Sequence, residues 1–217
     1  MKHTIALLAL LTLTQCTTTV QTKESQAAAT PQQVIDSLKA GNERFASGKP
    51  QHRNLLKQAK LTAGGQHPLA AVVSCIDSRT SSELIFDQGI GDIFNARIAG
   101  NVINDDILGS LEFACAAAGS KAIVVVGHTS CGAVKGAASS TKLEHLTGLL
   151  DKIQPAVKHT PKGGNDYVDR VAAENVKQSV AAIRAQSQTL SKLEKEGKIA
   201  IVGAMYHLDT GRVEFLR

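Results

Sequence analysis

The chain has 217 residues, of which 43% are hydrophobic and 20% charged, and its formal net charge is +5. This is the size and composition of one ordinary domain with enough apolar residues for a core, and it excludes a disordered chain or a membrane bundle. The Lys and Arg residues are scattered without interleaved aromatics, which argues against nucleic-acid binding, and with Trp at 0 the core must rely on Val, Ile, Leu and Ala.

At the amino terminus Lys2 precedes an apolar run over residues 5–11. A basic start and a short apolar middle resemble a secretory signal, and the run is too short to span a bilayer. Two processing routes follow. One is acylation at Cys16, as in a bacterial lipoprotein, although Gln15 departs from the small residue such signals carry there. The other is cleavage beside Ala27, Ala28 and Ala29. Either route predicts an exported, periplasmic protein, with a lipid anchor in the first case, and a disordered cytoplasmic tail is the remaining alternative. Residues 21–31 show no periodicity and read as a flexible linker. The expected division is therefore leader and linker over 1–30 and one folded domain over 31–217.

The spacing of Val34, Leu38 and Phe45 predicts a helix over 31–45, and a second helix is expected over 54–63. Gly64, Gly65 and Pro68 then turn the chain into a strand over 69–75. A short helix to Phe86, a turn at 89–92 and a strand over 93–98 follow. Asn104 or Asp105 can cap the next helix, which carries Leu108, Leu111 and Cys115 on one stripe and ends at Gly119. The strand from Lys121 completes a β-α-β-α-β pattern with right-handed crossovers. Residues 143–196 read as mostly helical, broken at Pro155 and at 161–164. The charges from Lys192 to Lys198 alternate in sign, as on a solvated helix face. Strands over 198–204 and 212–216 complete an α/β fold, with a central mostly parallel sheet of four strands, an antiparallel edge strand and helices on both faces.

Two strands end in reactive groups. Val72, Val73 and Ser74 lead into Cys75, Asp77 and Arg79, and extended backbone past Cys75 would put those three on one face with Ile76 on the other. The apolar run 122–126 leads into Gly127, His128 and, three residues later, Cys131. Parallel strands joined by helical crossovers bring their carboxyl ends to one sheet edge, where open α/β folds bind ligands. Two thiols and an imidazole make a zinc ligand set, and a fourth position left to water or a mobile carboxylate marks a catalytic rather than a structural site. The bland alternative is a buried Cys pair with a core His. Cys115 reads as a small core residue, and the four Cys do not form a disulfide framework.

The segments Cys75-Ile76-Asp77-Ser78-Arg79, Phe86-Asp87-Gln88-Gly89, Arg97-Ile98-Ala99-Gly100-Asn101 and His128-Thr129-Ser130-Cys131-Gly132 resemble a β-class carbonic anhydrase, and the resemblance covers residues 32–217. It implies one Zn2+ per chain on Cys75, His128 and Cys131, and reversible hydration of carbon dioxide to bicarbonate and a proton by zinc-bound hydroxide. It implies a switch: Asp77 either takes the fourth zinc position or pairs with Arg79 and orients the hydroxide. It also implies a substrate contact from Gln66, nine residues before Cys75, an apolar pocket of Phe94, Ala99 and Phe113, and assembly as a homodimer or tetramer with the helix over 31–45 lying across a partner. The Gly132 amide is a candidate donor to a bound oxygen. Bicarbonate regulation through a Trp-containing pocket, found in some members, lacks its Trp here. His52, His145, His159 and His207 have no ligand spacing, so no proton shuttle is named. A zinc-stabilised binding protein with Asp77 as fixed fourth ligand and a thiol enzyme using Cys131 with His128 remain open, although neither explains Arg79.

Overall fold

The computed structural model describes residues 18–216. The apolar run 5–11 and Cys16 lie outside the described residues. The chain enters through helices α1 (Lys23–Ala28) and α2 (Pro31–Ala46), each opened by a reciprocal cap, Thr22 with Ser25 and Thr30 with Gln33. Residues 21–31, expected as a flexible linker, are therefore largely helical. The cause lies far along the chain: Gln26, 6% exposed, donates from Nε2 to Pro68 O at 2.8 Å and Ala118 O at 2.9 Å. Those carbonyls sit just ahead of two sheet strands, so α1 seals the amino end of the sheet. Packing extends back to Thr19, whose carbonyl accepts from Gln58 Nε2 at 2.9 Å, and the expected boundary at residue 30 falls inside the folded unit.

The remaining elements, in order, are α3 (Leu55–Thr62), β1 (Ala70–Ser74), α4 (Ser82–Ile85), β2 (Ile93–Arg97), α5 (Asp105–Glu112), β3 (Ala122–His128), α6 (Gly132–Ala138), α7 (Glu144–Asp151), α8 (Gln154–His159), α9 (Tyr167–Gln186), α10 (Gln188–Lys195), β4 (Ala200–Tyr206) and β5 (Val213–Phe215). Asn104 caps α5 through Ile107 N, as expected, and the helix runs on into a wider π turn over Phe113–Ala117. Pro155 does not break a helix; it occupies the first turn of α8, where its missing N–H leaves no bond unmade. The helix α6 had no signal in the sequence, because its Gly- and Ala-rich stretch shows only Val134 and Ala137 to the core.

The sheet order is β2-β1-β3-β4-β5, parallel except for the antiparallel edge strand β5. Alternate residues of β1 and β3 enter opposite cores. Ala71, Val73, Ile123 and Val125 face the cluster built with α5 and α9, while Val72, Val124 and Val126 face the one built with Val34, Ile35 and Leu38 of α2. Thus α2 packs on its own sheet through these three residues. On the other face α9 lies unusually close to β3 and β4. A Cβ on Gly127 would lie 2.6 Å from Val176 Cγ2, and one on Gly203 equally near Val176 Cγ1, so both positions require glycine.

The docking of α1 has a measurable consequence. Gln26→Ala leaves Ala118 O without its side-chain donor and Pro68 O with the Ser120 hydroxyl alone, a loss of about 1–3 kcal/mol, which lowers the melting temperature by roughly 2–10 °C in a chain of this size. Thermal melts of the two proteins test this, and an unchanged midpoint would show that α1 is not part of the cooperative unit.

Candidate metal centre

Parallel pairing sets the site. In the β1–β3 register Ser74 lies opposite Val126, so Cys75, just past β1, and His128, the last residue of β3, emerge at the same carboxyl edge. Cys131 follows as the N-cap residue of α6. The three are buried, and their ligand atoms all lie within 4.8 Å of one another. His128 Nδ1 is 2.9 Å from Thr129 O, which fixes the proton on Nδ1 and leaves the Nε2 lone pair free. That Nε2 atom is buried without a hydrogen-bond partner, an arrangement that is costly in a closed core and natural for a ligand atom. Two thiols and an orphaned imidazole nitrogen at this spacing suit a soft divalent ion.

The chain does not stay extended past Cys75, as a shared face for Cys75, Asp77 and Arg79 would need. β1 ends at Ser74, Thr80 N donates to Asp77 O at 3.0 Å, and the resulting turn exposes Ile76. Asp77 and Arg79 meet within this turn: Arg79 Nε donates to Asp77 Oδ1 at 2.9 Å, Nη2 to Oδ2 at 2.7 Å and the Arg79 N–H to Oδ1 at 3.0 Å. Asp77 Oδ2 is 4.0 Å from His128 Nε2, which places the carboxylate beside the ligand atoms without replacing them.

The charges follow from these contacts. The Arg79 hydrogen bonds hold the Asp77 carboxyl well below the usual carboxylate range, against the opposing effect of burial. Cys75 is pulled down to about 4, first by the hydrogen bond from the Cys131 thiol and then, against the opposing effect of burial, by the adjacent His128 imidazole and the Gly100 N–H. Cys131 moves upward because it donates to Cys75 and is buried. Burial disfavours charge on His128, but the neighbouring Cys75 thiolate outweighs it and the net direction is upward. The cluster thus holds protons that a bound dication would displace.

A cavity of about 480 Å³ opens beside the cluster, lined by Cys75, Asp77, Ala99, Gly132, Lys135 and Leu146 among others. Ala99 and Gly132 are thus among the residues that line it. Phe94 and Phe113 are not; they pack edge to face, ring centres 6.0 Å apart, and line a separate cavity with Ala71 and Leu111. Gln66 is exposed at the amino end of β1, a strand length of about 17 Å from its carboxyl end. Within one chain neither Gln66 nor the two Phe side chains join the metal cluster.

Several positioning residues had no signal of their own. Arg97 donates from Nε to Cys75 O at 3.0 Å and from Nη2 to Asp77 O at 2.5 Å, while the Thr80 hydroxyl reaches the same two carbonyls at 3.0 and 2.9 Å. Gly100 N donates to Cys75 Sγ at 3.4 Å. Arg97 and Gly100 lie inside a segment already singled out, yet only the folded turn shows what they hold.

Comparison with known proteins agrees with this geometry. The sequence pattern of the carbonic anhydrase family matches residues 70–213. The chain is 41% identical over 183 residues to carbonic anhydrase 2 of Mycobacterium tuberculosis, covering 81% of this chain and 88% of that protein. It is 39% identical over 185 residues to the carbonic anhydrase of Mycolicibacterium smegmatis, covering 82% and 89%. Among solved structures, the β-carbonic anhydrase CafA of Aspergillus fumigatus aligns with a TM-score of 0.70 at 27% identity, over 84% of this chain and 90% of that one. The matched family, the identity to these relatives and the likeness of the fold agree, and the chain belongs to the β-class carbonic anhydrases, a family of enzymes.

Proposed function

We propose that the chain catalyses the reversible hydration of carbon dioxide to bicarbonate and a proton with one zinc held by Cys75, His128 and Cys131, and that Asp77 and Arg79 gate the fourth position. The observation that carries this reading is the buried triad with its orphaned His128 Nε2 atom, set 4.0 Å from a carboxylate that Arg79 grips at two oxygens. Zinc, when bound, supplies the acidity that lets a water attack carbon dioxide near neutral pH. The chain supplies orientation. Asp77, kept ionised by Arg79, accepts a hydrogen bond from the attacking water and aims its lone pair at the carbon. Released from Arg79, the same carboxylate can swing into the fourth position and close the site. Ala99, Leu146 and Leu150 give the cavity an apolar wall suited to a small nonpolar substrate, and the Gly132 N–H can donate to an oxygen of the product. The place of Asp77 beside His128 Nε2 and its fork with Arg79 favour this over a thiol enzyme built on Cys131, which leaves both residues without a task.

We further propose that a second copy of the chain covers the free edge of β2. Phe113 is 56% exposed and Ile90 41% exposed on that side, and Gln66, Phe94 and Phe113 could serve a metal cavity only across such an interface. Export remains our reading of the amino terminus; no helix among the described residues is long and apolar enough to cross a membrane. Because α1 is docked through Gln26, processing ahead of Thr19, at Cys16, preserves the fold better than a cut beside Ala29.

Cys131→Ala should lose most of its zinc by elemental analysis, whereas Arg79→Ala should keep it and still hydrate carbon dioxide at least about tenfold more slowly at neutral pH. Asp77 stays ionised across the working range, so its own protonation does not set the acid limb. Closure sets that limb, and activity should rise on the alkaline side of neutral, at roughly pH 8. Removing Arg79 eases closure and moves the limb to higher pH. Full zinc in Cys131→Ala, or an Arg79→Ala enzyme with the parent's turnover and profile, would overturn the assignment.

Intact-mass measurement of protein from its native host should find the residues from Thr19 onward retained, with an acyl group on Cys16; a chain beginning at Thr30 would reverse that choice. Light scattering on the purified protein should give at least twice the mass of one chain, and a monomer that still hydrates carbon dioxide would exclude the proposed role of the β2 edge.

A further inference from the structure

The turn between two of the ligands is held by a residue far along the chain. His128 and Cys131 are separated by Thr129 and Ser130. Thr129 is tied to the strand β4 side of the sheet: its N–H donates to Tyr206 O at 3.0 Å, and its Oγ1 accepts from Leu208 N at 3.0 Å. Ser130 is different. Its φ is 54°, in the left-handed region that a residue with a Cβ adopts only against a penalty. The Ser130 N–H donates to Asp169 Oδ1 at 2.7 Å, a charge-assisted bond from the first turn of α9. Asp169 can reach so far because Gly127 and Gly203 let α9 lie close against the sheet.

We propose that Asp169 is a positioning residue for the metal centre. Its carboxylate holds Ser130 in the left-handed conformation, and that turn returns the chain so that Cys131 Sγ comes within 4.8 Å of the ligand atoms of His128 and Cys75. Without the bond, Ser130 relaxes toward a right-handed or extended backbone and carries Cys131 away from the other two ligands. The carboxylate touches neither metal nor substrate; it acts through the backbone of the turn. This inference rests on the zinc reading above.

The test is zinc affinity, measured by competition with a chromophoric chelator, for the parent protein, Asp169→Ala, Asp169→Asn and the double variant Asp169→Ala with Ser130→Gly. Asp169→Ala should bind zinc about tenfold or more weakly, in the range found for residues that orient metal ligands. Asp169→Asn retains an oxygen acceptor and should lose much less. The double variant should recover most of the lost affinity, because glycine takes a positive φ without strain and no longer needs to be held there. Melting curves accompany each measurement. A general packing defect would lower the midpoint of Asp169→Ala without rescue by a glycine at position 130, and that outcome overturns the proposal. So does parent-like affinity in Asp169→Ala. A parent protein that takes up no zinc would instead overturn the zinc reading itself.

Discussion

The side-by-side pairing of β1 and β3 is the constraint on which the metal centre depends. Because the strands are parallel and Ser74 faces Val126, the residues that follow leave the sheet at one edge, and Cys75 and His128 meet there without a long loop. A one-residue slip would turn Cys75 and every alternate side chain of β1 to the other face. Such a slip is opposed on both sides at once, since Ala71 and Val73 are buried in one core and Ala70 and Val72 in the other. The register that packs the sheet is therefore the register that builds the site. α1 and Gln26 close the opposite end of the same strands, so stability and chemistry occupy different edges.

Charge is the second constraint. Two thiols and an imidazole buried together cannot all keep their ordinary protonation, and the cluster resolves this by lowering Cys75 and raising Cys131 and His128. A bound dication removes the need to share protons, because it favours both thiolates and a neutral imidazole. Asp77 is a further anion at the same edge, 4.0 Å from His128 Nε2, and its two oxygens are held by the fork with Arg79. On the proposed function, the Asp–Arg pair is a competition between two cations for one carboxylate rather than a surface salt bridge.

Much of this was legible in the sequence, for a physical reason. Buried parallel strands are short continuous apolar runs, and those before Cys75 and before His128 were long enough to place both residues at strand ends. The ligand triad followed from residue type and topology together. What escaped was long-range. The helical state of residues 23–28 depends on carbonyls at Pro68 and Ala118, and the extended run predicted past Cys75 lost to a turn that Thr80 and Arg97 hold by its carbonyls. Phe94 and Phe113 looked like pocket residues by position, yet edge strand β2 and the end of α5 carry them away from the ligands of their own chain. Asp169 gave no sign at all, since nothing near it in sequence carries chemistry.

Helix α9 ties these threads together. Besides Asp169 on Ser130, it supplies Asn175, whose Nδ2 donates to Gly100 O at 2.8 Å, and Ser179, whose hydroxyl reaches Asn101 O at 3.3 Å. Gly100 and Asn101 both have positive φ, as does Ser130, and Gly100 in turn donates to Cys75 Sγ. The left-handed positions on both sides of the metal cluster are thus held by side chains of one helix. Left-handed backbone at a non-glycine residue is unfavourable and persists only where its surroundings enforce it. A helix is a suitable enforcer because its residues keep fixed spacing, and contact between α9 and the glycines of β3 and β4 fixes its distance from the sheet. The two ligand loops, far apart in sequence, are therefore referenced to a single rigid element. Their separation, on which coordination depends, is set by the packing of α9 rather than by either loop alone.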